Sequence, residues 1–430
     1  MEAVYDAIVI GGGPAGSTVA TCLSRAGRRV VVLEKERFPR FHVGESLLPY
    51  SLPIFERLGV LEKVRRAGFQ EKYGAFFWND MTGEGTRPVI FRDAFNDRHP
   101  MAYQVKRADF DRLLLEHAAE CGAEVRQETG VEDVLFEGWR AVGVRAQPRG
   151  GPIQEIRARA VVDASGQGAF LSKKLGTRRF DSKLKRAALF GHYEGMRWPE
   201  GHQRGDILLP IDHGVWYWII PFSDGTASVG AVFEPSIARQ AGAPTLEERF
   251  DWLLARSPRM PTLLAGSRRV SKVFSISDYS ATSAKMAGNG YVLVGDAATF
   301  LDPVFSTGVF LALATGERAA RAVDRALSRH GRLDAKDLAG YEKEARKLFA
   351  RFRRFVYNFY DPVFFEAFCT PDPPEAMRKA VTTVLAGGVE SPPLALKVWT
   401  QLMLWGVGFD RFRRRIGLGP KPEVRGREPA

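Results

Sequence analysis

A glycine-rich turn close to the start of the chain constrains the fold more than any other sequence feature. Residues 5–10 are apolar and predict a buried strand, and residues 17–23 predict a helix. Gly11, Gly13 and Gly16 lie between these two elements. In such strand–turn–helix units the first glycine permits a tight turn, the second lets a pyrophosphate approach the backbone, and the third lets the helix pack on the sheet. The spacing therefore predicts a Rossmann-like dinucleotide-binding unit.

A carboxylate follows the next predicted strand, at the place where a ribose is bound. Residues 29–33 predict that strand, and Glu34 comes eighteen residues after Gly16. The phosphates would face the helix N-terminus, where free amides and a partial positive charge favour an anion. The glycines alone also fit a plain turn between packed elements, but their combination with Glu34 favours dinucleotide binding.

The composition is that of a globular protein and excludes several kinds of site. The 430 residues predict two or three domains, and 45% of them are hydrophobic. The three cysteines are far apart and fit no ligand pattern, so we expect neither a disulfide scaffold nor a metal site. No apolar run approaches the roughly 20 residues that span a bilayer, and the first strand begins too early for a signal peptide. We therefore expect a cytoplasmic protein without a transmembrane segment.

The charge balance is basic. With 62 Lys and Arg against 50 Asp and Glu, the formal net charge is +12, which is compatible with an anionic partner. A solvated, arginine-rich surface explains the same charge. We see no nucleic-acid-binding module and expect no nucleic acid partner.

Strand and helix patterns alternate in a way that interleaves two domains. We predict a mixed α/β (α+β) fold with a discontinuous nucleotide-binding domain, a β-sheet substrate domain and a helical C-terminal region. The nucleotide-binding domain comprises residues 1–70, 100–180 and 285–335. The substrate domain comprises residues 71–99 and 181–284. The helical region comprises residues 336–430.

Two further strand-end turns and one arginine complete a candidate flavin site. One predicted strand runs into a small-residue turn at Asp163, and another runs into Gly295 and Asp296. The carboxylate of Asp296 is placed to accept hydrogen bonds from ribityl or ribose hydroxyls. Arg107 opens a predicted helix and could pair with a phosphate. Each element taken singly also fits an ordinary turn.

In this order the segments resemble the flavoprotein class that includes p-hydroxybenzoate hydroxylase. The resemblance implies FAD rather than NAD, and no second glycine-rich unit is available for a nicotinamide. The cofactor-binding residues that it implies are Gly11, Gly13, Pro14, Ala15, Gly16, Glu34, Lys35, Ser46, Arg107, Asp163, Gly295, Asp296 and Pro303.

Three local sequences narrow the resemblance to the flavin-dependent halogenases. Residues 44–49 read Gly-Glu-Ser-Leu-Leu-Pro, residues 216–221 fit Trp-x-Trp-x-Ile-Pro, and residues 302–308 read Asp-Pro-Val-Phe-Ser-Thr-Gly. The matches extend from residue 5 to about residue 320. The resemblance implies an enzyme that uses FADH2 from a separate flavin reductase, O2, and chloride or bromide. In this family a flavin C4a-hydroperoxide oxidises the halide to hypohalous acid.

Lys72 lies where the halogenase family places its active-site lysine. The resemblance implies that this lysine hydrogen-bonds hypohalous acid, or becomes a haloamine, and directs the halogen onto an electron-rich ring. An amine among apolar groups has a lowered pKa and can act in this way. An exposed surface lysine is the alternative interpretation.

The resemblance also implies functional roles for two other motifs. Trp216 and Trp218 are two residues apart and share one face of a predicted strand. In the family this pair separates flavin from substrate, and the Ile-Pro that follows favours this role; an aromatic core stripe is the alternative interpretation. Thr307 and Gly308 precede a helix, so their amides could coordinate the halide. A plain helix cap by Ser306 or Thr307 fits the same residues.

The chain departs from the family's tryptophan-specific members at Phe305, where those members carry a glutamate. This substitution favours phenols, pyrroles or rings tethered to a carrier protein over free tryptophan. Residues 349–360 alternate aromatic and basic side chains on a predicted helix. We hypothesise that this helix lines the substrate channel and meets an acidic carrier, with an amphipathic packing helix as the alternative.

Other functions remain open at this point. An FAD-dependent monooxygenase or a geranylgeranyl-reductase-like enzyme would use the same cofactor without halide. A flavin-binding protein without turnover is a third possibility.

Overall fold

The computed structural model describes most of the chain. The described residues are 4–81, 84–85, 88–95, 100–200, 204–369 and 373–388, with the single positions 398, 401, 405, 406 and 413. The chain divides into two compact units. Unit 1 comprises Met1–Phe69, Val105–Leu184 and Tyr279–Phe352, and unit 2 comprises Gln70–Gln104, Lys185–Asp278 and Arg353–Ala430.

The strands and helices are labelled in chain order. The strands are β1 (Tyr5–Ile10), β2 (Val30–Leu33), β3 (Gln70–Lys72), β4 (Gly74–Asn79), β5 (Glu84–Gly85), β6 (Val89–Ile90), β7 (Ala102–Gln104), β8 (Glu124–Arg126), β9 (Thr129–Glu137), β10 (Arg140–Pro148), β11 (Gln154–Asp163), β12 (Arg178–Phe180), β13 (Ala187–Glu194), β14 (Ile207–Asp212), β15 (Val215–Pro221), β16 (Ala227–Phe233), β17 (Arg268–Arg269), β18 (Phe274–Ser277), β19 (Ala281–Ser283), β20 (Ala287–Gly288), β21 (Tyr291–Leu293) and β22 (Thr299–Phe300). The α-helices are α1 (Pro14–Arg25), α2 (Leu52–Leu58), α3 (Leu61–Arg66), α4 (Arg107–Glu120), α5 (Phe170–Lys174), α6 (Pro235–Arg239), α7 (Leu246–Arg256), α8 (Met260–Leu263), α9 (Thr307–His330), α10 (Ala339–Phe359), α11 (Pro362–Phe368) and α12 (Glu375–Leu385).

Unit 1 is built on a mainly parallel sheet with the strand order β20-β21-β11-β1-β2-β8. The central pairs from β21 to β8 are parallel, and the hairpin β9–β10 joins β11 in antiparallel fashion. Strands β1 and β2 are almost entirely buried, as expected for parallel strands covered on both faces. Helix α1 packs against α4 and α9. This is the Rossmann-like arrangement that the glycine turn predicts.

Unit 2 contains a nine-stranded sheet with the main strand order β17-β13-β16-β15-β14-β4-β5. Because side chains alternate along β15, Tyr217 and Ile219 face one side, while Trp216 and Trp218 face the other. The first side packs on α7, where the hydroxyl of Tyr217 donates a hydrogen bond of 2.8 Å to the carbonyl of Leu253. Strands β3 and β7 form a separate two-stranded ribbon. The predicted mixed α/β fold is confirmed.

The C-terminal part of the chain is helical where it is described. Residues 336–352 belong to unit 1 and residues from 353 onward belong to unit 2, whereas the sequence predicts one separate region over 336–430. Most of that prediction beyond residue 388 lies outside the described residues. Among the described helices, none is long and apolar enough to cross a bilayer.

Candidate active site

The turn between β1 and α1 has the geometry of a diphosphate cradle. Gly11 has φ +99°, and a Cβ on Gly16 would lie 1.9 Å from the carbonyl oxygen of Gly11. Helix α1 begins at Pro14, and its N-cap residue Gly13 offers no side chain to the first amides. The helix N-terminus is therefore available to an anion, and any side chain at residue 16 would distort the turn.

Glu34 holds this turn from the end of β2. Its carboxylate is buried and accepts hydrogen bonds from the backbone N–H of Gly12 at 2.7 Å and of Glu36 at 2.9 Å. The next residue, Lys35, lines a groove of about 600 Å³ together with Glu128 and Arg149. The structure thus brings Glu34 to the glycine turn, and a ribose contact by its carboxylate stays a prediction.

Arg107 is engaged by the protein itself. Its guanidinium donates to both carboxylate oxygens of Asp111, at 2.7 and 2.9 Å, and to the carbonyl of Val43 at 2.7 Å. Residue 43 leads directly to the buried Ser46. Arg107 therefore fixes the segment that carries Ser46, and its predicted contact with a phosphate stays a prediction.

Arg40 is a residue that the sequence analysis missed. Its Nη2 atom lies 3.5 Å from the position that a Cβ would occupy on Gly13, and its Nη1 atom lies 3.1 Å from Asp111. A guanidinium beside the glycine turn suits a pyrophosphate better than the neutral turn alone. No motif marks this residue in the sequence.

The carboxylate of Asp163 is committed to the turn that follows β11. It is fully buried and accepts hydrogen bonds from the N–H of Ser165 at 3.0 Å, the hydroxyl of Ser165 at 2.6 Å and the N–H of Leu171 at 2.7 Å. These three bonds explain why an acidic side chain ends this strand. A contact between Asp163 and the cofactor is not required by this geometry and stays a prediction.

Among the described residues, the Asp296 carboxylate accepts fewer hydrogen bonds than the Asp163 carboxylate does. The amide of Gln167 donates to the Asp296 carboxylate at 3.1 Å, and burial raises the pKa of Asp296 to about 6. Gly295 brings this turn against α1, because a Cβ there would lie 3.1 Å from the Cβ of Ala15. The structure therefore places Asp296 beside the helix that begins at the glycine turn, where a carboxylate can accept from a sugar or ribityl hydroxyl.

Thr307 and Gly308 are the first two residues of the 24-residue helix α9. The N-cap residue Ser306 has φ +55° and its side chain makes no capping hydrogen bond, so a cap by the Ser306 side chain is wrong. The preceding helical turn begins at Pro303 and contains the buried Phe305. The amides at the start of α9 therefore suit an anion.

Lys72 ends strand β3 and is 2% exposed. Its ammonium lies 5.2 Å from the ring centre of Phe91. Burial lowers the pKa of Lys72 to about 7, although the carboxylate of Asp206 acts in the opposite direction. The alternative of an exposed surface lysine is wrong.

Trp216 and Trp218 form a fixed aromatic pair. They are 4% and 5% exposed, and their ring centres are 5.9 Å apart. The indole N–H of Trp216 donates to the hydroxyl of Tyr360, and that of Trp218 donates to the hydroxyl of Ser228, both at 3.0 Å. Gly230 makes room for Trp218, because a Cβ there would lie 2.2 Å from its ring. Both indoles are therefore held by packing and by a hydrogen bond.

The aromatic and the basic residues of α10 differ in their exposure to solvent. Phe352, Phe355 and Phe359 are buried, whereas Arg353 and Arg354 are exposed. This is the geometry of an amphipathic packing helix. The predicted channel lining and carrier contact stay predictions.

Comparison with known proteins identifies the family. Residues 4–355 match the family described as FAD binding domain. Over 332 residues the chain is 36% identical to the 1H-pyrrole-2-carbonyl-(peptidyl-carrier protein) chlorinase of Pseudomonas fluorescens, covering 72% of this chain and 73% of the chlorinase. The chain belongs to the flavin-dependent halogenases. It is also 34% identical to the tryptophan 2-halogenase of Chondromyces crocatus, over 82% of this chain and 67% of that enzyme.

A solved halogenase structure agrees with this assignment. The myxobacterial chondrochloren halogenase CndH, described as a variant of FAD-dependent halogenases, superposes with a TM-score of 0.79 and 34% identity. The match covers 94% of this chain and 97% of CndH. The predictions that the protein is an enzyme, that its cofactor is FAD and that it belongs to the halogenases, which use halide and O2, are confirmed.

Proposed function

We propose that this halogenase delivers hypohalous acid through Lys72 to an electron-rich aromatic ring, a phenol or a pyrrole. The observation that carries the proposal is the burial of Lys72, which leaves its amine with a pKa near 7. Such an amine is present in both protonation states at neutral pH and is suited to proton transfer or to nucleophilic attack.

The cofactor site follows from unit 1. Gly11, Gly13 and the start of α1 would hold the pyrophosphate, and Glu34 and Asp296 would hold the hydroxyl groups. When bound, reduced FAD supplies the oxidised halogen from O2 and halide. We assign the amides at the start of α9 to halide binding, because an anion is favoured at a helix N-terminus by about 0.3–2 kcal/mol.

Lys72 has two balanced routes to the product. As an ammonium it donates a hydrogen bond to the oxygen of hypohalous acid; the ring carbon takes the halogen, and the oxygen leaves as water with the ring proton. As a neutral amine its nitrogen takes the halogen and water leaves; the ring then takes the halogen and returns a proton to nitrogen. Both routes need the amine to be kept from bulk water.

The tryptophan pair would keep flavin and substrate apart. Both indole N–H groups are engaged inside unit 2, so the rings of Trp216 and Trp218 are held in fixed positions. In this role the two rings would block direct oxygen transfer to the substrate and let only the small oxidant reach it. We assign the pair this role by its likeness to the family motif.

The substrate is inferred from Phe305 and from the relatives. Phe305 offers no carboxylate to assist an unactivated ring, so we propose a ring that is itself activated. The chlorinase relative is named for a pyrrole on a carrier protein and another relative for tryptophan; Phe305 favours the first. We further propose a cytoplasmic enzyme with a separate flavin reductase and an acidic carrier as partners.

The pH dependence of halogenation should identify the active form of Lys72. We expect one inflection in the rate of product formation near pH 7, because burial lowers the pKa of this amine to about 7. A rate that falls as pH rises through 7 assigns the ammonium route, and a rate that rises assigns the amine route. Stopped-flow product analysis with chloride and with bromide checks this. An inflection that moves with the halide belongs to hypohalous acid and contradicts the assignment to Lys72.

A carrier-tethered ring should be the better substrate. The net charge of +12 attracts an acidic carrier, so we expect at least about tenfold higher kcat/KM for the tethered ring than for the free acid at low salt. The advantage should shrink as added salt screens the charges. Parallel assays of pyrrole-2-carboxylate, free and on a peptidyl carrier protein, measure it. Equal turnover of both forms at every salt concentration would remove the carrier from the proposal.

A further inference from the structure

A buried side-chain amide oxygen on the ribbon that carries Lys72 has no hydrogen-bond partner among the described residues. In the β3–β7 ribbon Lys72 pairs with Ala102, and Gln70 pairs with Gln104. Lys72 and Gln104 therefore share one face as diagonal neighbours about 7–8 Å apart, within reach of the same small molecule. Gln104 is 1% exposed, and its Oε1 accepts no hydrogen bond from any residue that the structure describes.

The orientation of this amide is fixed by its other end. The Nε2 atom of Gln104 donates to the carbonyl of Gly205 at 2.9 Å. A flipped amide would place two acceptor oxygens against each other, so Oε1 is the free atom. The segment that carries Gly205 is itself anchored, because the Asp206 carboxylate accepts from the N–H of Tyr73 at 3.2 Å. The free acceptor is thus held in place before any ligand binds.

A buried acceptor of this kind is satisfied by a donor from a bound molecule, since leaving it unsatisfied is costly. Hypohalous acid carries one O–H donor and lone pairs on the same oxygen. We propose that Gln104 is a second binding residue for hypohalous acid, whose O–H it accepts while Lys72 donates to the oxygen. This inference rests on the proposed function. Because both residues hold the oxygen of the acid, only its halogen end is free to meet the substrate ring. The halogen is therefore delivered from one direction.

The test compares two glutamines that face each other on one ribbon. Gln104→Met removes the acceptor at similar volume. Gln70→Met is the matched control, because Gln70 is partly exposed and its amide donates to the carbonyl of Glu71. The assay measures the ratio of halogenated ring to oxidised thioether scavenger per FADH2 consumed. We expect this ratio to fall about 3- to 10-fold in Gln104→Met, the effect of one hydrogen bond, and to stay at the wild-type value in Gln70→Met.

A third variant separates binding from a structural role. Gln104→Glu, assayed at acidic pH beside the wild-type enzyme, keeps the acceptor oxygen, and its protonated carboxyl still donates to the carbonyl of Gly205. A ratio near the wild-type value in Gln104→Glu supports binding, and it does so even if Gln104→Met fails to fold. A lowered ratio in Gln104→Glu overturns the inference. An unchanged ratio in a folded Gln104→Met also overturns it. If wild-type enzyme yields neither halogenated ring nor oxidised scavenger, the proposed function fails instead.

Discussion

Replacing Lys72 by alanine is expected to lower the yield of halogenated product about 10²–10⁴-fold, the range that a positioned acid or base contributes. The reason is chemical, because this amine either donates to the hypohalous acid that meets the ring or carries the halogen itself. Hypohalous acid should still form, since halide oxidation takes place at the flavin. Product mass spectrometry together with a thioether scavenger measures both quantities.

The matched control for this experiment is Lys185→Ala. Lys185 is an exposed lysine of the same unit, so its loss should leave product yield and FAD affinity at the wild-type values. If Lys72→Ala retains full halogenation with FAD bound, Lys72 does not direct the halogen.

Gly16→Ala is expected to weaken FAD binding strongly. The new Cβ would lie 1.9 Å from the carbonyl oxygen of Gly11, and the obstacle is backbone rather than a side chain that can turn away. Overpacking of this kind costs about 1–3 kcal/mol or more, and the strain falls on the turn that receives the pyrophosphate. We expect at least a tenfold loss of FAD affinity, about 1.4 kcal/mol, measured by quenching of flavin fluorescence.

Gly340→Ala is the control for the glycine substitution. A Cβ on Gly340, in helix α10, meets nothing within 4 Å. Alanine also favours a helix by about 1 kcal/mol over glycine. We therefore expect Gly340→Ala to have unchanged FAD affinity and equal or higher stability. A Gly16→Ala variant that binds FAD as tightly as the wild type would contradict the role of the glycine turn in pyrophosphate binding.

The sequence predicts those parts of the site that depend on local pattern. The turn at Gly11 and Gly16 is readable because a buried strand and a helix flank it within a few residues. The strand with Trp216 and Trp218 is readable because period-two alternation puts both indoles on one face. The fold class could be predicted because it too depends on local patterns, namely the order of strand-like and helix-like segments along the chain.

The partners that fix these side chains could not be predicted, because strand register and loop contacts join distant residues. Gln104 lies opposite Gln70, and Gly230 lies opposite Trp218, only through pairing that no local pattern encodes. Tyr360 reaches Trp216 from 144 residues away. The sequence therefore indicated the indoles but not what holds them.

The sequence does contain a signal for the partner that Arg107 has in the structure. The spacing to Asp111 is i, i+4 on one helix, which favours an ion pair. From the sequence, a phosphate is one possible partner of the Arg107 guanidinium; in the structure the guanidinium donates to Asp111 and Val43. Arg40, which carries no motif, lies beside the glycine turn instead.

Mass spectrometry of the products from a panel of phenols and pyrroles is the sharpest test of halogenation through Lys72. The assay supplies FAD, a flavin reductase, O2 and bromide, whose two isotopes mark any brominated ring. We expect paired isotope peaks with the wild-type enzyme, and we expect them to disappear in Lys72→Ala and without halide. Hydroxylated or reduced products that form equally without halide would contradict this expectation and favour the monooxygenase or reductase alternative, and no turnover with FAD bound would favour a non-catalytic flavin-binding protein.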